Sequence, residues 1–147
     1  MNTLQLVRGS MLALLISGMS TYAWSDNTKD NWEKMVFHVD ETSNASWALM
    51  LANSYIDDSP NAKIVIVTFG PGVDFLLEGA EDRRGNTYEA TVTALSLKGV
   101  EFRVCANTLS ARNIEKERIV DDAVIVSSGL SEIARLQLKE DYAYLKP

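Results

Sequence analysis

The sequence predicts an α/β protein, a three-layer α/β/α sandwich on a mainly parallel sheet of about five strands. Three observations carry this expectation. Short apolar, β-branched segments recur along the chain, and the first four are each followed by a segment of helical character. The clearest of them, Lys63-Ile-Val-Ile-Val-Thr-Phe69, is apolar at consecutive rather than alternate positions, as expected of a strand covered on both faces. Strands alternating with helices favour parallel pairing, with helices on both sides of the sheet.

The elements follow in order. Lys34–Val39 reads as the first strand, with Met35, Val36, Phe37 and Val39 nearly continuous in apolar character. Asp40–Asn44 is a turn rich in helix-capping residues, and Asp40 and Glu41 are expected to cap the helix that follows. That helix runs from about Ala45 to Ile56, with a broad apolar face, and stops at Asp57-Asp-Ser-Pro-Asn61. The second strand, Lys63–Phe69, ends in Gly70-Pro-Gly72, a tight strand-to-helix turn, with a short helical turn over Val73–Leu77. Glu78–Asn86 is a polar surface loop. The next helix spans about Thr87–Lys98, with Gly99 as its C-cap.

In the third strand, Val100, Phe102 and Val104 alternate with Glu101 and Arg103. The strand proper is placed at Glu101–Val104, and Cys105 falls where it should end. A short helix is expected over Thr108–Asn113, with Thr108 as its N-cap. Ala123–Val126 is the fourth strand, followed by Ser127-Ser-Gly129 and an amphipathic helix from about Leu130 to Lys139. The tail, Tyr142–Leu145, reads as a short fifth strand.

Met1–Ser25 stands apart from this fold. Arg8 supplies a positive start, Met11–Met19 is a short apolar run, and small residues suited to cleavage follow at Ala23 and Ser25. This is the layout of a secretory signal peptide, and the apolar run is well short of the roughly 20 residues a spanning helix needs. Residues 26–147 are then a single exported domain, expected in the periplasm, with no membrane partner after cleavage. The formal net charge of −6 and the absence of any basic run argue against nucleic acid as a partner. At 46% hydrophobic and 23% charged, the chain has the composition of a protein that folds.

Cys105 is the only cysteine, so no internal disulfide is available in an oxidising compartment. It is either reactive, paired with another chain, or a small buried hydrophobe. Its place before a helix start favours a thiolate. His38 is the only histidine. If the first strand neighbours the third, it is a candidate proton-transfer partner for Cys105; otherwise it is a core histidine. One His and one Cys do not make a closed metal site, and no metal or cofactor is expected. Asn107 and Thr108 shape the loop around Cys105. The sequence has no nucleophile-elbow or dinucleotide-binding glycine pattern.

Several of these stretches together resemble the DsrE/DsrF/YchN-like family. They are Phe37-His-Val-Asp-Glu41, Asn53, Phe69-Gly-Pro-Gly72, Val104-Cys-Ala-Asn-Thr-Leu109, Ser127-Ser-Gly129 and Asp141–Pro147. The resemblance implies a small α/β/α sandwich assembled as a homo-oligomer, usually a trimer or hexamer. It also implies sulfur transfer through a cysteine that carries sulfur as a persulfide, with a sulfur donor or acceptor as partner. By position that cysteine is Cys105. Gly70, Gly72, Asn53, Asn107 and Thr108 are the accompanying binding candidates, and Asn53 is expected to reach a neighbouring loop. The family's sulfur-relay members are cytoplasmic, whereas this chain carries an export layout and a single cysteine. The sequence expectation is therefore a sulfur carrier or thiol-based sulfur sensor rather than a turnover enzyme. The alternative is an oligomeric binding or scaffold module with an inert, buried cysteine.

Overall fold

Lys63–Thr68 (β2) lies at the centre of the sheet, as its unbroken apolar sequence requires. In the computed structural model, which describes residues 33–147, five strands pair in the order β4-β3-β2-β1-β5, all parallel. The others are β1 (Lys34–Val39), β3 (Glu101–Cys105), β4 (Ala123–Val126) and β5 (Ala143–Leu145). The helices are α1 (Ala45–Asp58), α2 (Tyr88–Leu97), α3 (Ala106–Ala111) and α4 (Gly129–Glu140), with 3-10 turns at Thr42–Asn44, Gly70–Leu76 and Lys116–Arg118. The proposed signal peptide and the polar lead-in up to Trp32 lie outside the described residues. No helix among the described residues is long and apolar enough to cross a membrane.

Strand order fixes which face each helix covers. The steps β1→β2→β3→β4 all run in one direction, so right-handed crossovers put α1, α2 and α3 on one face. The step from β4 to β5 returns across the whole sheet and puts α4 on the other. The first face holds the larger core, in which Phe37, Ile64, Ile66, Phe102 and Val104 meet Leu49, Phe75, Val92 and Leu95. The second is a smaller cluster of Val36, Val65 and Val67 under Ile133, Leu136 and Tyr142. Alternation along each strand divides the residues this way, and the same alternation turns Arg103 and Cys105 of β3 toward α4.

Element ends follow local chemistry. The first helix runs past Ile56 to Asp58 and stops at Ser59, whose backbone has left the helical region (φ −127°, ψ 78°), as the residue before Pro60 tends to. Gly99 follows α2 with φ +93°, and the Val100 N–H closes on the Leu95 carbonyl at 3.0 Å, as expected of a glycine helix terminator. Ser128 caps α4, its hydroxyl accepting the Ser131 N–H. Asp40 and Glu41 make no side-chain cap: Asp40 pairs with Lys146 beyond β5, and Glu41 precedes the 3-10 turn without capping it.

Candidate functional site

Cys105 closes β3, opposite Val126 of β4, and opens α3 directly, with no intervening loop. This corrects the expectation for Thr108. The helix begins at Ala106 with Cys105 as its N-cap residue, because the strand passes into the helix at Cys105 itself (φ −73°, ψ 112°). Thr108 lies one turn in, where its hydroxyl accepts the Gly70 N–H at 3.0 Å. The thiol side chain is buried, with 5% of the residue exposed.

Burial pushes the Cys105 pKa up. The Gly129 N–H, the Thr108 hydroxyl and the Thr108 and Asn107 N–H groups outweigh it, and the thiol ends below its ordinary value. These groups come from the first turns of two helices, α3 and α4, where backbone N–H groups lack intrahelical partners and the dipole favours negative charge. The approach of α4 depends on Gly129. A Cβ there would lie 2.9 Å from Phe69 Cδ1, 3.2 Å from the Thr68 carbonyl oxygen and 3.3 Å from Cys105 Cβ.

The turn after β2 is held from two sides. The Gly72 N–H donates to the Asp40 carbonyl at 2.8 Å, and a Cβ on Gly72 would overlap the Val39 carbonyl oxygen at 2.1 Å. Arg112, just past α3, donates to the Gly70 carbonyl and pairs with Asp74 at 2.7 Å. Gly70 is thus joined to the thiol through Thr108, while Gly72 seats the turn against the end of β1.

The other two candidates lie elsewhere. Strand β2 separates β1 from β3, so the condition for a direct His38–Cys105 pair is not met. His38 Nδ1 is 2.8 Å from the Tyr144 hydroxyl, its ring stacks on Phe69 at 4.2 Å, and its Nε2 has no partner. Burial lowers its pKa, with Asp40 acting against this and Lys146 with it. Asn53, expected to reach a neighbouring loop, lies on the face away from Cys105. It donates to Asp57 one turn on and accepts from Lys98 at the end of α2, joining the two helices on the opposite face. No group of three or more His, Cys, Asp or Glu is placed to hold a metal ion among the described residues.

Gly129, Phe69 and the Arg112–Asp74 pair were not singled out as site residues by the sequence reading. Gly129 stood only as part of Ser127-Ser-Gly129, and its position directly after a neighbouring strand was the available signal.

Fold and site together define a small parallel α/β sandwich with one thiol at the carboxyl edge of its sheet. The chain belongs to the DsrE/DsrF-like family, whose model matches residues 34–147. It is similar to the structure of MTH1491, a protein of unknown function from Methanobacterium thermoautotrophicum. The two are 30% identical, with a TM-score of 0.68, over 78% of this chain and 98% of that one. It also shares the fold of the YchN protein from E. coli, with 18% identity and a TM-score of 0.66, over 78% of this chain and 99% of that one. No curated protein matches the sequence.

Proposed function

We propose that the protein is an exported, periplasmic DsrE-like protein that carries or senses sulfur as a persulfide on Cys105. The observation that carries this reading is the convergence of two helix N-termini on a thiol whose pKa is lowered. The step is a sulfur exchange. The thiolate attacks a terminal sulfur of a polysulfide, a new S–S bond forms, the donor's S–S bond breaks, and a polysulfide one sulfur shorter leaves as a dianion. The product persulfide is an anion held by the same N–H groups. No general base is needed once the thiol is ionised, which suits a site where His38 is bonded to Tyr144 instead.

The burial of Cys105 favours a second reading, a binding or scaffold module with an inert cysteine. The pH dependence of alkylation in native protein separates the two. A carrier reacts near neutral pH faster than an unperturbed thiol of equal exposure, and polysulfide adds one sulfur to its intact mass. Cys105→Ser abolishes the addition while keeping the fold. A thiol that reacts only after unfolding would reject the carrier.

The proposal includes a homo-oligomer, a trimer or hexamer. Within α2, Tyr88, Val92 and Leu95 are spent in the chain's own core, while Leu97 is exposed. The opposite face adds support, where Val124 on edge strand β4 and Leu130 and Leu138 on α4 stay exposed. Light scattering tests it, and a monomer mass at all concentrations would exclude it.

A further inference from the structure

Between the start of α1 and the loop leading to α2 lies an open cleft of about 740 Å³, on the face of the sheet opposite α4. Its volume is within the range of small-molecule sites. A second cavity of about 300 Å³ shares Ser46, Met50, Asp82 and Tyr88 with it and continues between α1 and α2. Trp47 and Met50 line the cleft with 54% and 51% of their surface in solvent. An exposed indole beside an exposed thioether offers a flat apolar wall.

The charges of the cleft are unevenly satisfied. Arg103, Arg112 and Arg135 are all in ion pairs, whereas the Arg83 and Arg84 guanidinium groups make no hydrogen bond or ion pair with a described residue, although the Arg84 charge is near enough to help lower the Asp82 pKa. Two carboxylates share the lining. Asp82 is occupied, accepting the Arg84 and Asn86 N–H groups and the Asn86 side-chain amide, and these bonds lower its pKa. Glu81 is exposed and is the one opposing charge without such partners. Hydroxyl groups complete the wall: Thr42 donates to the Pro71 carbonyl, and Ser46 donates to the Tyr88 hydroxyl at the floor.

From this arrangement we infer that the cleft binds a small organic anion with a flat apolar body. The anionic group meets Arg83 and Arg84, which present planar donors suited to a carboxylate or sulfonate. The apolar body lies against Trp47 and Met50. The inference is independent of the sulfur reading, because the cleft and Cys105 lie on opposite faces of the sheet.

Calorimetric titration of the purified protein with 2-naphthoate and its neutral counterpart, 2-naphthamide, tests it. One naphthoate binds per chain, about tenfold or more tightly than the amide, the worth of a charge-assisted pair. Arg83→Gln with Arg84→Gln removes that preference, and Trp47→Ala weakens both ligands. Glu81→Gln tightens naphthoate severalfold and leaves the amide unchanged, while Cys105→Ser changes neither. The Trp47, Glu81, Arg83 and Arg84 side chains are all exposed, so melts of those variants stay near wild type. Equal affinity for acid and amide, absence of binding, or a preference that survives loss of both arginines would overturn the inference. So would burial of Trp47 by a second copy of the chain as concentration rises.

Discussion

Gly72→Ala is the sharpest test of how the turn after β2 is seated. The added Cβ would stand 2.1 Å from the Val39 carbonyl oxygen, 2.6 Å from the Val39 carbonyl carbon and 2.9 Å from that of Asp40, where ordinary contact begins at 3.4 Å. All three atoms are backbone, so no rotamer change relieves the overlap. Val39 is fully buried and paired in register with Thr68, so recoil must distort the end of β1 or displace the turn. Either movement also strains the Gly72 N–H bond to Asp40. Overpacking costs about 1–3 kcal/mol and a lost hydrogen bond about 1 more, giving a total near 3 kcal/mol. Urea unfolding with linear extrapolation measures it, and in a domain of this size the midpoint temperature should fall by roughly 10 °C. Gly70→Ala is the internal control. Its Cβ would meet only the Asp40 carbonyl oxygen, at 3.7 Å, and the cost comes from φ +59° instead, about 1 kcal/mol. A Gly72→Ala protein within about 1 kcal/mol of wild type, or one more stable than Gly70→Ala, would refute the steric account.

Three further outcomes follow from the packing and the charges. Phe102→Ala removes a fully buried ring from the larger core and should cost about 3–5 kcal/mol in the same unfolding measurement. Gly129→Ala should move the alkylation profile of Cys105 to higher pH, because its Cβ forces the first turn of α4 away from the sulfur; an unmoved profile would deny that turn its role. His38 should give the fold an acid-sensitive component. Its native pKa lies below 6.5, so the unfolded chain binds more protons, and stability is full above that value and declines as pH falls below it. Urea midpoints measured through this range should decline less in His38→Gln, and identical curves would show that the native histidine is not depressed.

How much of this was legible depended on whether the signal was local. Lys34–Val39 and Ala123–Val126 fell on the observed strands to the residue because apolar runs bounded by turn residues are sufficient evidence. The breaker around Pro60 and the terminator Gly99 set helix ends for equally local reasons. Strand order has no local signature in a parallel sheet, since each crossover hides which neighbour the next strand will choose. That is why β1 was allowed beside β3, and why His38 was weighed as a partner for a thiol two strands away. Thr108 was misassigned for a different reason. Threonine is a good cap in general, but here its hydroxyl is taken by Gly70 of another loop, a contact between residues far apart in the chain.

The thiol itself was visible in the sequence, and half of its surroundings were not. A cysteine that ends a strand and opens a helix announces one helix N-terminus. The second requires knowing that β4 lies beside β3 and that Cys105 is level with Val126. Once that register is known, the rest follows from geometry. Chain leaving β4 through Ser127 and Ser128 must begin α4 next to Cys105. The return to β5 carries α4 over the face toward which Arg103 and Cys105 alternate, and Arg103 pairs with Glu132 of that helix. Only a residue without a side chain lets the helix start so close to the sulfur, and Gly129 stands at that point. The lowered thiol pKa is therefore a property of two adjacent parallel strands whose helices start side by side, rather than of the cysteine's own segment.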